Sequence, residues 1–358
     1  MFLIASCALA VPGARAATFE ELAAQADAAR GADHIPQAID LYRQALQLKP
    51  TWPDGWWFLG TLYYDSDRYA EGEQAFAEFV KLRENAAPGW AFLGLCEFET
   101  GEYQPALDHI ERGLTAGGGV QPEVEQVLRF HEALLLTRLG LFDRARQQYK
   151  PLVRRGLKDT ALIAGLGLNA LQRPMLPKEI SEAERGLVIA AGKTAYTWMA
   201  GDDAKTATAF RDLLNAYPAA PGVHYFFATY LLQSHPDEAM AELQRELDEN
   251  PRQAGASASM ALLLLQDGLA AAALPYAKTA AEEQPANPLA QYAYALNLSD
   301  LHQTIEHLEI AERLDPLNFE YHMALACAYA KSGRHDDSRR ERQTSIRLAK
   351  ESAPDGPK

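Results

Sequence analysis

An all-α helix–turn–helix solenoid is predicted by three features of the chain. Bulky and small residues recur at a fixed spacing: Trp56, Leu59 and Gly60 return 34 residues later as Trp90, Leu93 and Gly94, and Tyr69 and Phe76 return as Tyr103 and Ile110. Such a period marks paired helices that bury their core only by stacking on neighbours. Prolines close successive units at Pro218, Pro251, Pro285 and Pro316, where the missing N–H and the restricted preceding residue stop a helix. Finally, 48% of residues are apolar, enough for a continuous core, and the wealth of alanine and leucine favours helix over strand.

Each unit is numbered from 1 to 34. The first unit starts at Phe19, with Ala26, Ala38, Tyr42, Ala45 and Pro50 in register. The second, from Pro53, carries Trp56, Leu59, Gly60, Tyr63, Gly72 and Phe76; the third, from Ala87, carries Trp90, Leu93, Gly94, Ala106, Ile110 and Gly113. Gly117-Gly118-Gly119 then reads as a loop, without the lysine and serine of a phosphate-binding loop. A fourth unit from about Gln126 holds Ala133, Gly140, Ala145 and Tyr149. Register lapses over residues 153–186, read as one helix and a connector bent by Pro174 and Pro177. Gly165-Leu166-Gly167 within it reads as close helix packing. A degenerate unit ends at Phe210, Leu213 and Pro218, and three more follow with Ala228, Ala261 and Ala295 at the small position of the first helix. The last unit, residues 319–350, has Leu325, Ala326, Tyr329 and Gly333, and its second helix turns basic with Arg339, Arg340, Arg342 and Arg347. That is the polar outer face expected of a capping helix. Residues 351–358 read as a disordered tail.

The W-x-x-L-G-x-x-Y run from Trp56 to Tyr63, with the small residues and the closing prolines, resembles the tetratricopeptide-repeat (TPR) family across residues 19–350. The resemblance implies a right-handed superhelix of about eight to nine repeats in two sub-arrays, residues 17–152 and 187–350. It also implies a protein that binds other molecules and does not catalyse.

Formal charge is −14, from 34 basic and 48 acidic residues, which argues against nucleic acid as a partner. Residues 1–12 are apolar and uncharged, and Ala14-Arg15-Ala16 offers an A-x-A cleavage pattern. Residues 1–16 therefore read as a secretory signal, although no Lys or Arg precedes Phe2. Ile4-Ala5-Ser6-Cys7 also resembles a bacterial lipobox. Either reading predicts export to the periplasm or cell envelope, with membrane association only through lipidation at Cys7. Cys96 and Cys327, six repeats apart, are expected to stay unbridged as small buried hydrophobes.

No motif for chemistry emerges. None of the nine histidines falls in H-E-x-x-H or beside zinc-spaced cysteines, and no G-x-S-x-G or Walker pattern occurs. No cofactor, metal or catalytic residue is assigned. The informative surface is the concave face, which the TPR resemblance places on positions 2, 5, 9, 12 and 13 of each first helix. The candidate peptide-binding residues there are Trp57, Thr61, Tyr64, Ala91, Leu95, Phe98, Phe130, Tyr225, Thr229 and Tyr292, with Leu296, Met323 and Cys327 in the same positions further along. None is a lysine, so the carboxylate clamp of chaperone-binding TPR domains is not expected. An aromatic groove suits apolar anchoring of a peptide segment; a superhelix that fills its own groove is the other reading. The expected function is a non-catalytic scaffold of the bacterial envelope with a protein or peptide partner. The alternatives are a role in assembly or export of an envelope carbohydrate polymer, through Trp57, Tyr64 and Tyr292, or an enzyme site at residues 153–186.

Overall fold

The computed structural model describes residues 17–116, 120–232 and 234–352, and among these every regular element is helical. The stretches read as signal (1–16), triple-glycine loop (117–119) and the last residues of the tail (353–358) lie outside the described residues. The chain forms two compact units, one ending at Pro122 and the other beginning at Glu123.

The first unit is three antiparallel helix pairs: α1 (Phe19–Gly31) with α2 (Ile35–Leu48), α3 (Pro53–Asp65) with α4 (Tyr69–Leu82), and α5 (Ala87–Thr100) with α6 (Tyr103–Thr115). Local chemistry sets the ends. Thr18 and Glu21 form a reciprocal capping box at the start of α1, and α3 opens on Pro53, whose missing N–H costs nothing in a first turn. Within each pair the chain turns on a left-handed residue at position 15 of the repeat: Asp33 (φ 59°), Asp67 (φ 57°) and Gly101 (φ 90°).

The small positions lie where the spacing requires them. A Cβ on Gly60 would come 2.8 Å from the ring of Phe76, and one on Gly94 2.9 Å from the backbone oxygen of Ala106. Opposite them, position 24 of five repeats (Tyr42, Phe76, Ile110, Tyr149 and Phe210) is fully buried.

The second unit holds α7 (Pro122–Arg138) and α8 (Phe142–Arg154), followed by α9 (Thr160–Ala170), which packs on α10, and a 3-10 turn at Pro177–Glu179. Five more pairs follow: α10 (Glu182–Met199) with α11 (Asp203–Ala216), α12 (Val223–Leu231) with α13 (Pro236–Glu249), α14 (Ala254–Gln266) with α15 (Ala270–Glu283), α16 (Pro288–Leu296) with α17 (Leu301–Leu314), and α18 (Phe319–Lys331) with α19 (His335–Ser352). Around α14 to α16 the core is made of alanines, among them Ala258, Ala277 and Ala290, so these helices run close together. No described helix is long and apolar enough to cross a membrane.

One polar contact recurs between repeats. The residue at position 4 sends a side-chain N–H to the main-chain carbonyl six residues earlier, at the end of the preceding repeat. Trp56 Nε1 donates to Pro50 O (2.8 Å), Trp90 Nε1 to Glu84 O (2.7 Å) and Gln291 Nε2 to Pro285 O (2.9 Å). His224 Nε2 donates to Pro218 O (2.7 Å) and His322 Nε2 to Pro316 O (2.9 Å). In the α14 repeat the position is Ser257, too short to reach, and its buried hydroxyl finds no partner.

The tightest contact is the crossing of α9 and α10. A Cβ on Gly167 would lie 1.9 Å from the carbonyl oxygen of Val188, and one on Gly192 1.9 Å from that of Ile163. Backbone meets backbone, so no side chain can move aside. Gly192→Ala should cost about 2–3 kcal/mol by forcing the helices apart, seen as a lowered urea midpoint. Gly31→Ala, at a site with nothing within 4 Å, should be neutral or stabilise by up to ~1 kcal/mol.

Candidate functional site

The concave positions divide by burial. In the first unit Trp57 is half-buried, its ring set against Phe76, Phe79 and Phe92 at 5.6, 5.3 and 5.6 Å. Tyr64 meets Tyr69 and Phe92 edge-on at 5.5 and 5.2 Å, and the Thr61 hydroxyl donates to Phe58 O. Ala91, Leu95 and Phe98 are buried, for α5 is covered on nearly every face. In this unit Trp57 and Tyr64 belong to an aromatic cluster that joins the second and third repeats through Phe92.

In the second unit Phe130 is half-buried beside a small cleft that it shares with Val127 and Leu162. Tyr225 is 4% exposed, and its hydroxyl accepts from Gln172 Nε2 at 2.8 Å. Burial drives that phenol well above its ordinary range. The neighbouring Thr229 donates to Phe226 O. Phe142 and Arg146 of α8 and Gln172 close over this stretch. The open-groove expectation therefore does not extend to Ala91, Leu95, Phe98 or Tyr225, which neighbouring side chains have withdrawn from solvent.

The open part lies at the last two repeats. Tyr292, half-buried against Tyr321 at 4.9 Å, lines a cleft of about 710 Å³ with Leu296, Met323 and Cys327, which are positions 5 and 9 of α16 and α18. Phe319, Glu320 and Lys331 complete its α18 side, and Phe319 and Met323 are exposed by 38% and 39%. The cleft has a structural cause. α16 stops at Leu296, nine residues from its start, whereas α18 runs for thirteen, and the turn that follows α16 leaves space alongside α18. Cys327, expected to be buried, is exposed on this cleft, while Cys96 is buried as expected. Burial pushes the Cys96 thiol up to about 12, which keeps it protonated and inert.

Elsewhere in the second unit, the start of α8 meets the end of α17. Arg144 Nε lies 3.9 Å from the carboxylate of Asp315; the Asp315 side chain is buried and that of Arg144 partly so. Burial raises the Asp315 carboxyl to about 6, against the opposing pull of Arg144. The folded chain thus holds this proton more tightly than the unfolded chain does. The associated stability is present at low pH and is lost as pH rises from about 4 through 6. Lifting a carboxyl from its ordinary 3.8 to about 6 corresponds to roughly 3 kcal/mol. Asp315→Asn should therefore gain stability relative to wild type between ~pH 4 and ~pH 7.5. Thermal melts of both proteins at the two pH values measure it; a pH-independent difference would contradict the assignment.

Among the described residues no cluster of three or more His, Cys, Asp or Glu could hold a metal ion. Sequence reasoning placed Met323 and Cys327 on the concave face by position but did not single them out. The signal that could have done so is the early stop of α16, marked by Asn297 and by Ser299-Asp300 ahead of α17.

Comparison with known proteins bears on the repeats. The family model described as "Tetratricopeptide repeat" matches residues 23–87 and 59–120. Comparison with curated proteins gives no match. Solved structures similar to part of the chain include MamA from Desulfovibrio magneticus RS-1, at 18% identity over 47% of this chain and 97% of that one, with a TM-score of 0.37. Another, MamA AMB-1, has 20% identity over 46% of this chain and 99% of that one, with a TM-score of 0.35. Likeness at that level transfers nothing about activity or partners. Residues 23–120 are thus tetratricopeptide repeats, and paired helices of the same kind continue from α10 to α19.

Proposed function

We propose that the protein is an interaction scaffold that captures an apolar segment of a protein partner in the cleft between α16 and α18. Protein interaction is the general role of TPR arrays, and one observation supports this cleft as its place. Positions 5 and 9, which carry ligand contacts in the family, are open and apolar at Tyr292, Leu296, Met323 and Cys327. A cleft of about 710 Å³ accommodates two or three apolar side chains, and Glu320 and Lys331 at its edge offer polar contacts that fix orientation.

Peptide display against the full chain tests this. Selected peptides should carry bulky apolar anchors, and Met323→Asp should weaken them by ~1–2 kcal/mol or more. The half-exposed site should leave the melting temperature nearly unchanged. Peptides that bind Met323→Asp and wild type equally would place the interaction elsewhere.

In the same reading the scaffold acts in the cell envelope. The support is the apolar run of residues 1–12 and the Ala14-Arg15-Ala16 pattern. Mature protein from its host should begin at Ala17 or at a lipidated Cys7. N-terminal mass analysis that recovers the intact chain from the cytosol would refute export.

A further inference from the structure

A second pocket, unrelated to the concave cleft, is built from cations. Lys158 in the loop before α9, Lys193 on α10 and Lys205 in the first turn of α11 converge on a cavity of about 450 Å³. Three separate elements supply the ammonium groups, so they do not form the solvated stripe of a single helix. The crossing of α9 on α10 at Gly167 and Gly192 holds the first two elements together. Asp202 is the single carboxylate lining the cavity, and it pairs with Lys205 at 2.6 Å. Among the described residues no carboxylate of the cavity wall pairs with Lys193 or Lys158, and the Lys158 ammonium sits 5.4 Å from the centre of the Tyr196 ring. In a chain of formal charge −14, a pocket with three cations and one anion is a local reversal of sign. Like charges gathered this way repel one another until an anion joins them.

We propose that this pocket binds a small phosphorylated ligand, with the phosphate between the three lysines and the organic body against Tyr196 and Ile163. The charge decides the ligand: three lysines less Asp202 leave two positive charges, matching a phosphate monoester of about −1.5 to −2 near neutral pH. Lysine is the point-charge partner that phosphate accepts without fixed geometry. The volume lies within the ~300–1,000 Å³ typical of small-molecule sites, and the ring and aliphatic wall give a carbon skeleton somewhere to lie.

Isothermal titration of the full chain with phenyl phosphate, inorganic phosphate and a glutamate-rich peptide tests the proposal. Phenyl phosphate should bind one to one, more tightly than inorganic phosphate, with affinity falling as salt rises. Lys193→Ala and Lys158→Ala should each weaken it by about tenfold or more. Both side chains are exposed, so the melting temperature should not move; Lys193→Gln, which keeps length and loses charge, should behave as Lys193→Ala does. The proposal is overturned if phenyl phosphate gives no binding, or if it binds no better than inorganic phosphate. It is equally overturned if the lysine variants bind as wild type does, or if the peptide alone binds.

Discussion

In five of the repeats the stack rests on a hydrogen bond sent back to the repeat before. A helix that ends at a proline leaves carbonyls without intrahelical partners, and the next helix must start within a few residues at a defined angle. A donor at position 4 meets both needs by reaching the carbonyl six residues upstream. Indole, imidazole and carboxamide all serve, in Trp56, His224 and Gln291, so the shared property is an N–H at a given reach. At His224, Gln291 and His322 the far side of the group is used as well. The second nitrogens of His224 and His322 face Glu242 and Glu341 at 2.6 Å, and Gln291 Oε1 accepts from His307. At these three residues the first helix of the repeat, its second helix and the previous repeat are tied together. The Ser257 repeat lacks this tie, and there the alanine core lets helices approach closely enough to hold by contact area.

That bond also explains what was legible in the sequence. The period, the small residues at Gly60 and Gly94 and the buried position 24 are written in residue size, and size is read directly from the chain. Position 4 reads as a bulky core residue because tryptophan occupies it twice, and its chemistry as a donor becomes visible only with the carbonyl in place. Position 15 escapes notice in the same way. Asp33, Asp67 and Gly101 share a left-handed backbone, a property that neither size nor hydropathy encodes.

The concave face was harder to read for a different reason. Whether Tyr225 is surface or core depends on a residue 53 positions away, Gln172, and on α8. A repeat register describes neighbours only, and these are long-range contacts made by the stretch where the register lapses. The irregular segment after α8 is thus what decides the fate of the groove beside it. Tyr292, two repeats further on, has no such cover and stays at the edge of the cleft.

The same reasoning connects the irregular segment to the lysine pocket. In a regular repeat a side chain on position 8 sets the spacing between the two helices. Here α9 meets α10 through glycine on both sides, closer than any side chain permits. Bringing two backbones together at Gly167 and Gly192 lets the ends beyond the crossing spread, since straight helices that touch at one point diverge on either side. Lys158 precedes α9 on the side of Ile163, and Lys193 follows Gly192 by one residue, so both lie where that divergence begins. The cavity opens beside this crossing, with Ile163 belonging to both. The choice of lysine at three of its walls is not required by packing, and that surplus of positive charge is what points to a ligand.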